Sequence, residues 1–162
     1  MPNKSLLVKI GLGLAVAAAL VGLILVKQRG ATPRLAGEVT SVRTLGMDAA
    51  SSVAIVDFRL TNPSRILFVV QSTGMSLVDA SGQTRPGQMV AASDANYLFE
   101  LFPALGARTA ETLVIKTRIA PAASLASMLT ARFEISKAEL DARRSIVVSL
   151  TDADGSVSEI IR

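Results

Sequence analysis

"SVAIVDFRLTNPS", residues 52–64, decides the fold. Ala54, Val56, Phe58 and Leu60 fall on one parity; Asp57, Arg59 and Thr61 fall on the other. Alternation of period two marks a strand with one face on a core and the other toward water. The strand then has a defined stop. Pro63 has no N–H to offer a ladder, and it holds Asn62 in extended or turn geometry.

The same pattern extends outward from this strand. "RILFVVQ" (65–71) is apolar on both parities, which suits a strand covered on both faces. Further strands are expected at 38–45, 75–79, 83–90, 109–119, 130–136, 145–151 and 156–161. In "ARFEIS", Ala131, Phe133 and Ile135 oppose Arg132 and Glu134, and Ile146, Val148 and Leu150 form the inner row of "SIVVSLT". About eight or nine short strands with frequent turn signals predict a mainly β chain folded as an antiparallel sandwich. One short helix is expected within 94–102, with Asp94 as its N-cap, and another within 121–129. "SKAE" (136–139) has the spacing of a capping box.

"SLVDASGQ" (76–83) and "SLTDADGS" (149–156) share Ser, Leu, Asp, Ala and Gly at matching positions. An EF-hand alignment on Gly155 puts Asp152 and Asp154 at ligand positions, but Leu150 and Ile161 then stand where the first and last ligands belong. The calcium reading fails on those two residues. A turn reading accounts for both copies: Asp opens a type I turn, and Gly takes the left-handed position of the bulge that follows.

Composition excludes much chemistry. The 162 residues contain no Cys and no His, which removes disulfides, thiol nucleophiles, the usual zinc sites and histidine acid–base catalysis. No cofactor or metal is expected. A Ser–Lys pair would remain for nucleophilic work, but Ser136 and Lys137 are adjacent and their side chains diverge. The net charge of +4 is unevenly placed: residues 1–37 hold five basic residues and no acid, leaving the remainder at −1. With one Tyr and no Trp, no basic–aromatic surface for nucleic acid is expected.

"LLVKIGLGLAVAAALVGLILV", residues 6–26, would span roughly 31 Å as a helix at about 1.5 Å per residue. Its single charge, Lys9, lies one turn from the end, where its stem can reach the interface. No small-x-small cleavage pair follows, so the segment reads as an uncleaved anchor rather than a removed signal. The expected organisation is a tail at 1–5, the anchor at 6–26, a basic linker at 27–37 and a domain at 38–162. The basic residues flanking the anchor are evenly matched. A short tail before a larger C-terminal domain then places that domain outside the cytoplasm. Gly11, Ala15, Ala18 and Gly22 form a stripe of small residues suited to helix–helix contact and self-association.

An anchor, a strand ending "FRLTNPS", an apolar strand and then "SLVDASGQTRPG" resemble two groups over about residues 50–120. One is the water-stress and late-embryogenesis-abundant type 2 domains; the other is a group of bacterial extracellular immunoglobulin-like domains. The resemblance implies an immunoglobulin-like sandwich without a catalytic site. This chain departs from both groups at the bulkier, apolar "SDANYLFELFPALG". Its Tyr97, Phe99 and Phe102 are either core filling or an apolar contact surface for a partner protein or the membrane. The expected function is that of a membrane-anchored, non-catalytic interaction module of the bacterial cell envelope, with other envelope proteins as partners. The alternatives are a binding domain for an apolar or lipid-like molecule held under 94–105, and a stress-protection protein.

Overall fold

The structure, a computed structural model, describes residues 34–162. The predicted anchor at 6–26, with Gly11, Ala15, Ala18 and Gly22, lies outside them. Among the described residues no helix is long and apolar enough to cross a membrane.

Nine strands and two α-helices make up this part. The strands are β1 (Ala36–Gly46), β2 (Ser52–Thr61), β3 (Phe68–Val78), β4 (Thr84–Pro86), β5 (Gln88–Met89), β6 (Arg118–Ile119), β7 (Ser124–Phe133), β8 (Ser145–Asp152) and β9 (Val157–Ile161). Helix α1 (Ala92–Leu101) is followed by a 3₁₀ turn at Pro103–Leu105, and α2 spans Lys137–Asp141. One sheet has the order β1-β2-β7-β5 and the other β4-β3-β8-β9, with β6 also paired to β3. All of these strand pairings are antiparallel.

The two sheets bury a common core between them. Ala54, Val56, Phe58 and Leu60 of β2 meet Phe68, Val70 and Leu77 of β3 and Ile146, Val148 and Leu150 of β8. All ten are at most 1% exposed. Burying one such side chain stabilises the fold by about 1.5–3 kcal/mol, so this row sets the register of β2. Leu35 also belongs to this core, and its N–H donates to Ser158 Oγ at 2.9 Å, so the ordered sandwich includes residues just before β1.

The other parity of β2 is not solvated. Val53 and Ile55 enter a second cluster with Leu98, Leu105 and Met128, because α1 and the 3₁₀ turn lie over the outer face of the first sheet. The expected half-buried strand is therefore buried on both faces from Ser52 to Phe58, Asp57 included, and only Arg59 and Thr61 keep access to water.

Several expected elements are drawn differently. The segment 121–129 holds no helix: from Ser124 it is β7, which lies between β2 and β5. The strands expected at 65–71 and 75–79 are one strand, β3, with a register shift between Val70 and Ser72. The strand at 83–90 divides at Gly87 into β4 and β5, which belong to different sheets. Only Arg118–Ile119 and an isolated bridge from Thr112 to Met128 represent 109–119. Helix α1 begins after Ala91 with no side-chain cap, and Asp94 sits within its first turn.

The repeated turn is realised twice with one geometry. In the first copy Asp79 N–H donates to Gln83 O and Gly82 N–H to Asp79 O; in the second, Asp152 pairs with Ser156 and Gly155 with Asp152 in the same way. Gly82 and Gly155 have φ of 92° and 86°, left-handed values that glycine adopts without strain. Since Val70 pairs with Asp152 and Val78 with Ser145, the two turns lie at opposite ends of the second sheet.

Candidate interaction surface

Helix α1 separates the three aromatic residues singled out from the sequence. Phe99 and Phe102 are partly buried and pack against the second cluster, whereas Tyr97 is 61% exposed. Leu101, four residues on and therefore on the same helical face, is 70% exposed. The aromatic trio is thus divided between core filling and surface. The outward apolar pair is Tyr97 with Leu101.

The covering segment is held down by a polar node that no local pattern announces. The Arg43 guanidinium donates to both carboxylate oxygens of Asp57, at 3.0 and 2.8 Å, and to the carbonyls of Leu105 and Ala107. Thr109 Oγ1 donates to Asp57 Oδ1 at 2.9 Å, and the Phe99 ring lies 4.8 Å from Arg43 Cζ. A charge this deeply placed persists because carboxylate, carbonyls and ring surround it. The underside of α1 is filled by these side chains and by Leu98 and Leu105. An open depression of about 390 Å³ lies beside the helix, lined in part by Val53, Leu98 and Arg132. Another, of about 410 Å³, opens between β4 and the end of β7, with Arg85, Arg132 and Glu134 at its rim.

At the end of the sandwich where β2 stops, Asn62 is fully buried and braces three segments. Its amide nitrogen donates to Ile66 O at 2.8 Å and Ile119 O at 2.9 Å; its Oδ1 accepts from Ser64 N and Oγ. Its backbone N–H donates to Ala123 O, and its carbonyl accepts from Ala122 N–H. Both amide hydrogens and the acceptor capacity are used, which an aspartate or alanine cannot reproduce.

The remaining chemical candidates are also committed to structure. Asp79 Oδ1 accepts from Ser81 N and Oγ and from Gln83 N, and its Oδ2 accepts from Arg85 Nε at 2.8 Å. The Ser81 hydroxyl, then the Arg85 guanidinium, holds this carboxyl well below the usual carboxylate range. Asp152 Oδ1 receives Val69 N–H, and Asp154 Oδ1 receives Ser156 N–H, which lowers the pKa of Asp154. Ser136 and Glu139 form the expected capping box of α2, and the Ser136 hydroxyl draws the Glu139 pKa down. Lys137 pairs instead with Asp141, one turn along the helix.

No protein-family model matches the chain, and no curated protein matches it. Among solved structures, the chain is similar to an uncharacterized β-sandwich protein from Clostridium difficile 630, at 8% identity and a TM-score of 0.42. That match covers 79% of this chain and 85% of the other. It is also similar to the archaellum periplasmic stator protein FlaG from Sulfolobus acidocaldarius, at 11% identity and a TM-score of 0.34, over 81% of this chain and 100% of that one. The stator complex of FlaF and FlaG from the same organism gives 11% identity and a TM-score of 0.30, over 78% and 87% of the two chains.

Proposed function

We propose that this chain is a membrane-anchored, extracytoplasmic interaction module with an immunoglobulin-like sandwich and no catalytic role. Lettered in chain order with the two-residue β6 left out, the first sheet reads A-B-E-D and the second C′-C-F-G, the strand order of immunoglobulin-type domains. The hallmark Trp and disulfide of antibody domains are absent from the sequence, so the inward rows of both sheets must supply the stability alone. The anchor rests on the apolar run 6–26, and the orientation on the short tail before it.

The observation that carries the interaction role is the outward pair on α1. Tyr97 and Leu101 are exposed on a helix whose opposite face is clamped to the sheet by Arg43 and Phe99. A rigid helix presenting an aromatic and an aliphatic side chain one turn apart is a contact surface in form. We take its partner to be another envelope protein. The side chains filling the underside of α1 speak against a lipid-like molecule enclosed there.

Two measurements test this. After gentle lysis the intact chain is expected in the membrane fraction, with a C-terminal topology reporter active only outside the cytoplasm. Proteins that copurify with the detergent-extracted chain are expected to be lost with Tyr97→Ser/Leu101→Ser and retained with Ser93→Ala. A soluble intact chain refutes the anchor. Unchanged copurification in the double variant refutes the surface.

A further inference from the structure

The end of the sandwich where the described chain begins combines exposed aliphatic residues with arginines. Pairing of Ala36 with Thr61, Thr61 with Ser124 and Val70 with Asp152 gathers the start of β1, the 62–67 loop, the 120–123 loop and the 152–156 turn at this one end. Here Ile66 and Leu67 are 42% and 41% exposed, although both are large aliphatic residues in a turn. Arg34, Arg65 and Arg118 are exposed at this end, and none of the three makes an ion pair among the described residues. The acids at this end are Asp154 and Glu159, both exposed, with Glu159 lining the same depression as Arg34, and Asp152, buried and engaged by Val69 N–H. The Asn62 brace fixes the shape of the loop that presents Ile66 and Leu67.

We propose that this end of the sandwich, with Ile66 and Leu67 as apolar contacts and Arg34, Arg65 and Arg118 as charges, rests on the anionic headgroups of the bilayer that holds the chain. The inference rests on the anchor reading above. Residues 27–33 separate the expected anchor from Arg34, and seven residues reach at most about 25 Å when fully extended. A strand of ten residues puts the opposite end, with the β1–β2 loop, roughly 33 Å from this one. The end with the apolar and basic residues is the one that the linker joins. Shallow insertion of aliphatic side chains flanked by arginines is the interfacial mode of membrane contact.

The chain has no Trp, so a single introduced Trp is the only indole emitter. The full chain is reconstituted in protein-free lipid vesicles of equal parts phosphatidylcholine and phosphatidylglycerol, with or without bromine on the acyl chains. Leu67→Trp is expected to lose about half its emission to bromine, as a side chain inserted roughly 5–10 Å into the boundary would. Ala49→Trp, in the β1–β2 loop, is expected to lose almost none. Leu20→Trp, within 6–26, reports on the anchor itself. Quenching at 20 without quenching at 67 overturns the headgroup contact and leaves the anchor intact; no quenching at 20 overturns the anchor. Blue-shifted emission at 67 that ignores bromine places protein against this end, and also overturns the proposal. Arg65→Glu/Arg118→Glu in the Leu67→Trp background is expected to reduce the quenching, and equal quenching would remove the arginines from the contact.

Discussion

Replacing Asn62, itself fully buried, with alanine removes four side-chain hydrogen bonds. The carbonyls of Ile66 and Ile119 each lose a donor and the Ser64 N–H loses its acceptor, while the Ser64 hydroxyl keeps Ile66 O. Ile66 and Ser64 lie near enough to solvent to recover part of this by hydration, but Ile119 is 2% exposed. At about 1 kcal/mol net per bond, and more where a buried partner is stranded, the loss comes to about 3 kcal/mol. Against a typical domain stability of about 5–15 kcal/mol that is a large fraction, and it corresponds to a drop in Tm on the order of 10 °C. Chemical denaturation followed by far-UV circular dichroism measures it directly. Two companions sharpen the result. Asn62→Asp keeps the shape but turns an acceptor toward the carbonyls of 66 and 119, so it is expected to cost at least as much as alanine. Ser64→Ala, at a half-buried position, is expected to cost less than about 1 kcal/mol. A loss below about 1 kcal/mol for Asn62→Ala would refute the bracing role.

The Arg43–Asp57 pair is expected to behave as one unit: Asp57→Ala strands a guanidinium against the sheet, and a double-mutant cycle should give a coupling of about 2 kcal/mol or more. Gly82→Ala and Gly155→Ala are expected to cost similar amounts, about 1–2 kcal/mol each, since both force a side chain into the left-handed region of the same turn; a large disparity in denaturation midpoint would show that the two turns are not equivalent. Asp79 has a folded pKa below its unfolded one, so its contribution is complete above the ordinary carboxylate pKa of about 3.9 and fades as pH falls below it. Unfolding measured against pH should show the native chain losing ground to Asp79→Asn in acid, and parallel curves would sink that assignment. Ser136→Ala is expected to cost about 1 kcal/mol through loss of the α2 cap, read from the same denaturation curves.

How much of this was legible in the sequence depended on whether the cause was local. The inward row of β2, the paired Asp-Ala-x-Gly turns and the Ser136–Glu139 cap are all written within a few residues, and the structure holds each of them. What failed was local pattern overruled by a distant neighbour. "PAASLASML" is rich in good helix formers, yet it supplies β7 because the sheet needs a strand between β2 and β5. Asp57 sits on the polar parity of its strand, but α1 arrives over that face from forty residues later in the sequence and makes it interior. The unbroken apolar run Val53–Val56 was the one sign that both faces would be covered. Arg43 and Asp57 had no spacing rule to connect them, because they meet only through the pairing of β1 with β2. Among the aromatic residues, the helical interval from Tyr97 to Leu101 was a better guide to the surface than aromatic density.

The pairing of β2 with β7 has a consequence for how the chain is made. These strands align over ten residues, from Thr61 with Ser124 to Ser52 with Phe133, so about 60–80 residues must be synthesised between the two halves of one ladder. At about 5–20 residues per second, the β1–β2 hairpin waits several seconds before its partner strand exists. Throughout that interval Val53, Ile55, Phe58 and Leu60 lie on a ribbon apolar on both sides, with an open edge that can pair with any other extended chain. The period of greatest aggregation hazard thus falls before β7 emerges, and a chaperone that shields residues 52–61 during synthesis would act at the narrowest point of the folding route.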